Sequence, residues 1–559
     1  MISTVLVANR GEIARRVFAT CRRMGLGTVA VFSDADADAP HVAEADAAVR
    51  LPGNAAADTY LRADLVIAAA RSAGADAIHP GYGFLSENAQ FARAVLDAGL
   101  VWVGPPVAAI ESMGSKVEAK KLMDAAGVPV LAELDPAEVT QADLPVLVKA
   151  SAGGGGRGMR VVRTLAELPE QLAAARREAE SAFGDPTVFC ERYLETGRHI
   201  EVQVMADRHD TVWAVGEREC SIQRRHQKVI EEAPSPLVER VPGMRERLFD
   251  AARLAAGAIG YEGAGTVEFL DDNDGSVYFL EMNTRLQVEH PVTECTTGLD
   301  LVRLQLQVAD GYRLPAEPPS MRGHSIEARL YAEDPAHGWR PQSGKVHRAD
   351  ITGTANAFTV LTEPGVRVDS GVADGSVVSV FYDPMLAKVI AYGETRDEAA
   401  RMLAGALTGA RIHGLVTNRD LLVNVLRHPA FLAGDTDTAF FDRHGLDALA
   451  RALVSEPDEV LSAVAAALAD VAANRAVAQV VRALPSGWRN VPGELQRKIY
   501  EGPSGAVREV RYRHTRSGVR VDGHDITVVT AAPDLVVLDM VGLRRRFDIA
   551  RYGSLVCVD

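Results

Sequence analysis

Along the first hundred residues, apolar runs at strand spacing take turns with apolar stripes at helical spacing. Residues 4–8 form a β-rich run, and 11–24 carry an amphipathic helical pattern. Strands are predicted over 28–32, 77–79 and 101–103, with a helix over 63–72. This alternation builds a small parallel sheet of βαβ type. A helix over 115–126 precedes a proline-containing turn, and a strand over 146–149 leads into S-A-G-G-G-G-R-G-M-R at 151–160. A helix over 166–182 and several strands to about 232 follow. Beyond 300 the pattern is mixed α+β to about 446. Residues 459–483 then form an alanine-rich helical stretch, and from about 494 short strands alternate with Gly and Asp turns. This change marks a separate C-terminal domain.

Two local patterns carry charge. In E-M-N-T-R-L-Q-V-E at 281–289, an extended reading puts Glu281, Asn283, Arg285, Gln287 and Glu289 on one face. That face spans about 27 Å. Met282, Leu286 and Val288 line the other. Upstream, 266–270 and 277–281 flank D-D-N-D-G. A two-residue turn at Asp274-Gly275 places Glu268 opposite Glu281. Opposed carboxylates repel unless a cation sits between them.

Composition changes this picture little. The chain has 559 residues, 47% hydrophobic and 24% charged, as expected of a multidomain globular protein. A net charge of -15 argues against nucleic-acid or anionic-membrane binding. Five scattered cysteines without a C-x-x-C suggest neither a disulfide framework nor a zinc site. No signal-peptide pattern opens the chain, and no uninterrupted apolar run reaches about 18 residues. A cytoplasmic location without a membrane span is expected.

The 153–158 glycines let backbone amides approach phosphate oxygens, but no G-K-[ST] closes the loop, and a plain surface loop remains open. Arg218, Arg224, Arg225, His226 and Lys228 form a basic cluster, either an anion pocket or a solvated edge. Lys116 and Lys149 add positive charge. His199 alternates inward in R-H-I-E-V-Q-V, where a lone histidine is usually structural. Glu268, Glu281 and Asn283 offer oxygen ligands suited to Mg²⁺ or Mn²⁺. Glu289, at the far end of its face, suits a base beside Arg285; a plain salt bridge to that arginine is the alternative.

Taken together, V-A-N-R-G-E-I-A at 7–14, H-P-G-Y-G-F-L-S-E-N at 79–88, K-A-S-A-G-G-G-G-R-G-M-R at 149–160 and R-H-I-E-V-Q-V at 198–204 resemble a known family. So do G-E-R-E-C-S-I-Q-R-R-H-Q-K-V-I-E-E-A-P at 216–234, F-L-E-M-N-T-R-L-Q-V-E-H-P-V-T-E at 279–294, A-E-D-P at 332–335 and Y-D-P-M-L-A-K at 382–388. The chain resembles the biotin carboxylase component of biotin-dependent acyl-CoA carboxylases, in the ATP-grasp superfamily.

The resemblance implies an N-terminal domain at 1–115, an ATP-grasp domain at 116–330 with a mobile glycine-loop lid near 130–195, and a C-terminal α+β domain at 331–446. A helix plus antiparallel β-barrel-like domain at 447–559 resembles the carboxyltransferase-docking domain of propionyl- and methylcrotonyl-CoA carboxylase α subunits, and is expected to be incomplete. The fold class is therefore α/β and α+β.

By resemblance, ATP would be bound by Lys116, Lys149, Gly153, Gly154, Gly155, Gly156, Gly158, Met159, a hinge from Glu191 to Leu194, His199, Gln223 and His226. Glu268, Glu281 and Asn283 would hold Mg²⁺ or Mn²⁺. Lys228, Arg285, Gln287 and the Val288 backbone would cradle bicarbonate. Glu289 would be the general base, and Arg329 would stabilise the enolate form of biotin. Expected partners are a carboxyltransferase β subunit and a biotin carrier domain, in a larger α/β hetero-oligomer. No A-M-K-M motif occurs, and the chain stops in L-V-C-V-D, a strand-like run with no partner after it. Biotin is therefore expected on a carrier outside this chain. Competing readings are another ATP-grasp ligase, which has no need of Lys228, Arg285, Gln287, Glu289 and Arg329 together, and a non-catalytic assembly subunit.

Overall fold

The computed structural model describes the chain except residues 152–158, 225–226, 273–274, 352–355, 482–483, 488–489, 492, 504 and 516–517. It forms two units, Met1–Arg451 and Ala452–Asp559.

The first unit opens with a five-stranded parallel sheet in the order Ala47–Arg50, Gly27–Phe32, Thr4–Val7, Ala77–His79, Val101–Trp102. The helix Gly11–Met24 buries Ile13, Val17, Phe18 and Cys21 against it. Gly25, at φ 72°, ends that helix in the left-handed region that glycine enters without strain. Ala47–Arg50 was not foreseen. It is a mostly exposed edge strand, so selection for a buried face left no alternation to read.

Nine strands form the main sheet, in the order Val277–Asn283, Gly263–Asp271, Arg198–Ala206, Val212–Arg224, Gln227–Ala233, His324–Tyr331, Met385–Gly393, Gly365–Ser370, Asn356–Ala357. Every residue of Arg198–Ala206 is buried. Ile200, Val202 and Val204 pack with Leu248, Ala252 and Ala255 of the helix Met244–Ala258. The alternation therefore sends His199, Glu201 and Gln203 to the opposite face. A separate four-stranded sheet, Glu133–Leu134, Val188–Arg192, Val146–Ala150, Arg160–Val162, has its own core with the helix Leu168–Phe183.

Two expectations change here. Glu268 does pair with Glu281, but Asp271 already pairs with Val277, so the connection is longer than a two-residue turn. The register shifts between Glu268 and Phe269, with Leu280 the unmatched residue, which restores the expected pair. Asn273 and Asp274 lie outside the described residues. The extended reading of 281–289 is also corrected: the strand ends at Asn283, and Glu289 (φ -79°, ψ 9°) is the N-cap of the helix His290–Thr297. Pro291 in the first turn of that helix favours its start there.

In the second unit the helix Glu456–Val477 buries Val464, Leu468 and Val471 with Val510, Tyr512, Val536, Leu538, Phe547 and Ile549. These residues come from a three-stranded and a four-stranded antiparallel sheet. The helix ends before 483, because β-branched residues at 477, 480 and 481 and Pro485 favour extended chain. Leu555–Val558 pairs with the strand that precedes it, Leu543–Tyr552. Among the described residues only Glu456–Val477 is long and apolar enough to cross a membrane, and its apolar residues form this core.

Candidate active site

A cavity of about 1420 Å³ runs across the first unit. Of the residues singled out from the sequence, Lys116, Lys149, Met159, Glu191, Leu194, His199, Gln223, Lys228, Glu268, Glu281, Asn283, Arg285, Gln287, Val288 and Arg329 line it. Gly153, Gly154, Gly155, Gly156, Gly158 and His226 lie outside the described residues. Glu289 does not line the cavity; it is fully buried behind Lys228 and Arg329.

Lys228 is the centre of the arrangement. Its ammonium donates to Glu201 Oε2 at 2.5 Å, Glu268 Oε1 at 2.9 Å and Glu289 Oε1 at 2.6 Å. Burial opposes the charge on Lys228, but the three carboxylates outweigh it and hold the ammonium protonated well above its ordinary range. Arg329 Nη2 donates to the other Glu289 oxygen at 2.9 Å, and its Nε donates to Glu231 Oε1 at 2.5 Å. Burial alone would raise the Glu289 carboxyl. Lys228, Arg329 and Arg218 reverse that and keep it well below the ordinary carboxylate range. Glu289 thus pairs with Arg329 and Lys228, not with Arg285. The turn after Asn283 swings it away from the row in which an extended chain would have placed it.

Arg285 instead ties the neighbouring side chains together. Its Nε donates to Glu87 at 2.9 Å, Nη1 to Gln287 Oε1 at 2.9 Å and Nη2 to Asn283 Oδ1 at 3.1 Å. Asn283 Nδ2 and Gln287 Nε2 both donate to Glu268 Oε1, at 2.8 and 3.1 Å. His199 Nε2 lies 3.0 Å from Glu268 Oε2. Glu268 Oε1 thus accepts from three donors while its Oε2 faces the His199 ring; burial would raise the carboxyl, but Lys228 and His199 hold it far below its usual range.

Glu281 differs. Desolvation and then the facing Glu268 charge raise its carboxyl, and Lys116, at 3.8 Å, compensates only in part. An under-compensated carboxylate beside a second one, with only oxygen donors, fits a hard divalent cation. His199, Glu201 and Glu268 also bring donor atoms within 4.8 Å of one another. There the Lys228 ammonium already meets the charge of Glu201 and Glu268.

At the other end of the cavity, Glu191 is shared by Lys120 and Lys149. Burial would raise the Glu191 carboxyl, and the two lysines hold it below its usual range. Lys120, Glu87, Glu201 and Glu231 were missed in the sequence. Glu201 had a signal: it follows His199 by two residues on one strand face. Glu87 and Glu231 lie inside the 79–88 and 216–234 motif segments, but their partners come from long-range packing, and Lys120 lies in none of those segments.

This arrangement can be set against known proteins. Residues 1–110 match the model for the biotin carboxylase N-terminal domain, 115–317 that for the carbamoyl-phosphate synthase L chain ATP-binding domain, and 327–443 that for the biotin carboxylase C-terminal domain. Biotin carboxylase of Halalkalibacterium halodurans is 47% identical over 456 residues, covering 79% of this chain and 98% of that protein. The chain belongs to the biotin carboxylase family. Family members are ATP-grasp ligases, and this chain has their fold. A Campylobacter jejuni biotin carboxylase in a β,γ-ATP complex superposes with a TM-score of 0.75 at 41% identity, covering 79% of this chain and 99% of that one. The biotin carboxylase domain of Hydrogenobacter thermophilus 2-oxoglutarate carboxylase, crystallised with MgADP, ADP and bicarbonate, gives a TM-score of 0.76 at 40% identity over 81% of this chain and 100% of that one. Outside the carboxylase core, 457–559 match the model for the BT domain of the methylcrotonyl-CoA carboxylase alpha subunit. The rice mitochondrial methylcrotonoyl-CoA carboxylase subunit alpha is 46% identical over 461 residues, 80% of this chain but only 61% of that protein.

Proposed function

We propose that this biotin carboxylase carboxylates carrier-bound biotin using ATP and bicarbonate, and that a partner carboxyltransferase β subunit then passes the carboxyl group to an acyl-CoA. The observation that carries the proposal is the Lys228–Glu289–Arg329 constellation behind a cavity whose far end presents Lys116 and Lys149. ATP would lie along Lys116, Lys149, Met159, the 191–194 segment, His199 and Gln223, with the 153–158 glycines and His226 completing its site. Glu268, Glu281 and Asn283 would hold Mg²⁺ or Mn²⁺. When bound, that cation neutralises phosphate charge.

Lys228, Arg285, Gln287 and the Val288 backbone would hold bicarbonate. Each Glu289 oxygen is gripped by a cation facing the cavity. Binding an anion to Lys228 and Arg329 weakens that grip and makes Glu289 a stronger base. Glu289 takes the bicarbonate proton, and the bicarbonate oxygen attacks the γ-phosphorus as its bond to the ADP oxygen breaks. The carboxyphosphate so formed splits into CO₂ and phosphate. That phosphate removes the ureido proton of biotin, Arg329 steadies the enolate oxygen, and the biotin nitrogen captures CO₂. We further propose divisions at 1–115, 116–330 with its lid, 331–446 and 447–559, the last docking on the β subunit of a larger hetero-oligomer in the cytoplasm.

The test is ADP release measured with and without bicarbonate and biotin. Turnover indifferent to both refutes the reading. Glu289→Gln is expected to abolish biotin carboxylation with ATP affinity near wild type, and retained carboxylation would remove Glu289 as the base.

A further inference from the structure

Behind Arg329 lies a second pair of acids that the reaction described above does not use. Glu231, on Gln227–Ala233, and Glu327, on His324–Tyr331, are direct partners across the two strands. Both are fully buried. Directly opposed residues have Cβ atoms about 5 Å apart, so their carboxyl groups are within reach of each other. Glu231 Oε1 accepts from Arg329 Nε. Among the described residues, Glu231 Oε2 and both oxygens of Glu327 are buried without a hydrogen-bond partner.

The nearby cations are already committed. Arg329 bonds Glu231 and Glu289. Lys388 lies 3.0 Å from Glu12 and donates to the Val288 carbonyl at 2.8 Å. Lys228 holds Glu201, Glu268 and Glu289. The other titratable groups close enough to interact with the pair are Glu289, bonded to Arg329, and Tyr82, whose hydroxyl donates to Glu12. Neither supplies positive charge. Two adjacent buried carboxylates whose one bonded cation, Arg329, is also committed to Glu289 are strongly disfavoured relative to a pair that retains a proton.

We propose that Glu231 and Glu327 share one resident proton, and that this singly charged pair is a positioning device for Arg329. The proton stays on the Glu327 side, leaving Glu231 free to bind Arg329 Nε as a carboxylate. The guanidinium is then clamped edge-on between Glu231 and Glu289, with its remaining edge toward the cavity it lines. Burial, opposed by Lys388, puts the Glu327 carboxyl well above its ordinary range, and Glu231 is raised to about 7. Because Arg329 faces biotin in the proposed reaction, the catalytic part of this inference rests on that reading; the proton itself does not.

Glu327→Gln and Glu231→Gln, made in the full chain, separate the two. A neutral amide mimics a protonated acid, so Glu327→Gln is expected to melt at or above the wild-type temperature at neutral pH, with the gap widening as pH rises. It should also remove a protonated-carboxyl stretch from the infrared difference spectrum. A lower melting temperature, failure to fold, or an unchanged infrared band overturns the shared proton. Glu231→Gln is expected to lower kcat/KM for biotin about tenfold, as the carboxylate charge that fixes Arg329 is lost, with the KM for ATP unchanged. An unchanged kcat/KM for biotin, or an equal rise in the KM for ATP, overturns the positioning role. Wild-type ADP release that ignores biotin would overturn the functional reading while leaving the infrared and melting results to judge the proton.

Discussion

Lys228→Met is the sharpest test of how the site is held together. The substitution keeps most of the apolar stem and removes an ammonium that donates to three buried carboxylates. Each charge-assisted hydrogen bond is worth about 1.5–3 kcal/mol. The loss is capped, however, because the variant can take up a proton instead. Protonating an ordinary glutamate at pH 7 costs about 3.7 kcal/mol, from about 1.36 kcal/mol per pH unit over about 2.7 units. A destabilisation of about 3–4 kcal/mol follows. At about 2.1 cal/mol/K per residue, a unit running from Met1 to Arg451 loses about 4 °C in melting temperature.

The pH dependence carries the sign. In the wild type Glu268 and Glu289 titrate below the ordinary range, so their stabilisation is present above about pH 4.3 and is lost as pH falls through their folded values. In the variant one carboxyl titrates above that range, which costs stability as pH climbs from about 4.3 toward its folded value. The deficit of Lys228→Met should therefore widen between about pH 5 and about pH 8. Differential scanning calorimetry across that range is the assay. A deficit that is constant or narrows with rising pH would show that Lys228 is not the counterion of these acids.

Three other outcomes are expected. Glu281→Gln should raise the Mg²⁺ concentration needed for half-maximal ADP release, and an unchanged requirement would take Glu281 out of the metal site. Arg285→Lys can keep only part of the set Glu87, Gln287 and Asn283, so the KM for bicarbonate should rise about tenfold at constant ATP KM; equal shifts in both would assign Arg285 a general structural role. Ser455 caps Glu456–Val477 by accepting from Asp458 N at 3.3 Å. Ser455→Ala should cost about 1 kcal/mol and speed amide exchange in the first turn about fivefold, and unchanged exchange would show that the cap is idle.

What could be read from the sequence was whatever repeats locally. The helices over 11–24 and 63–72 appear at those positions because each buries one regular face, and the strand over 77–79 because it is a short run buried throughout. The same rule misled at 281–289. Alternating polar residues mimic a strand, but the chain turns after Asn283, where Thr284 N donates to Glu87 at 3.0 Å. Asn283 and Gln287 then converge on one Glu268 oxygen from opposite sides of that turn, an arrangement that spacing does not encode. Most candidate residues still reach one cavity, since their motifs are defined by chemistry rather than by conformation. Glu231 and Glu327 stayed invisible. Their partnership depends on two strands nearly a hundred residues apart, and neither segment advertises it.

The strand His324–Tyr331 bears on how this protein can be taken apart. It lies beyond residue 317, where the match to the ATP-binding model ends, yet it hydrogen-bonds Gln227–Ala233 on one side and Met385–Gly393 on the other. A fragment cut at 317 would lose Arg329 and leave Ile230 to Ala233 as a raw sheet edge, ready to stick to the same edge of another copy. The modules named by ancestry are thus not separable parts. A working minimal enzyme must be trimmed where the hydrogen-bonded ladder stops, not where the family boundaries fall.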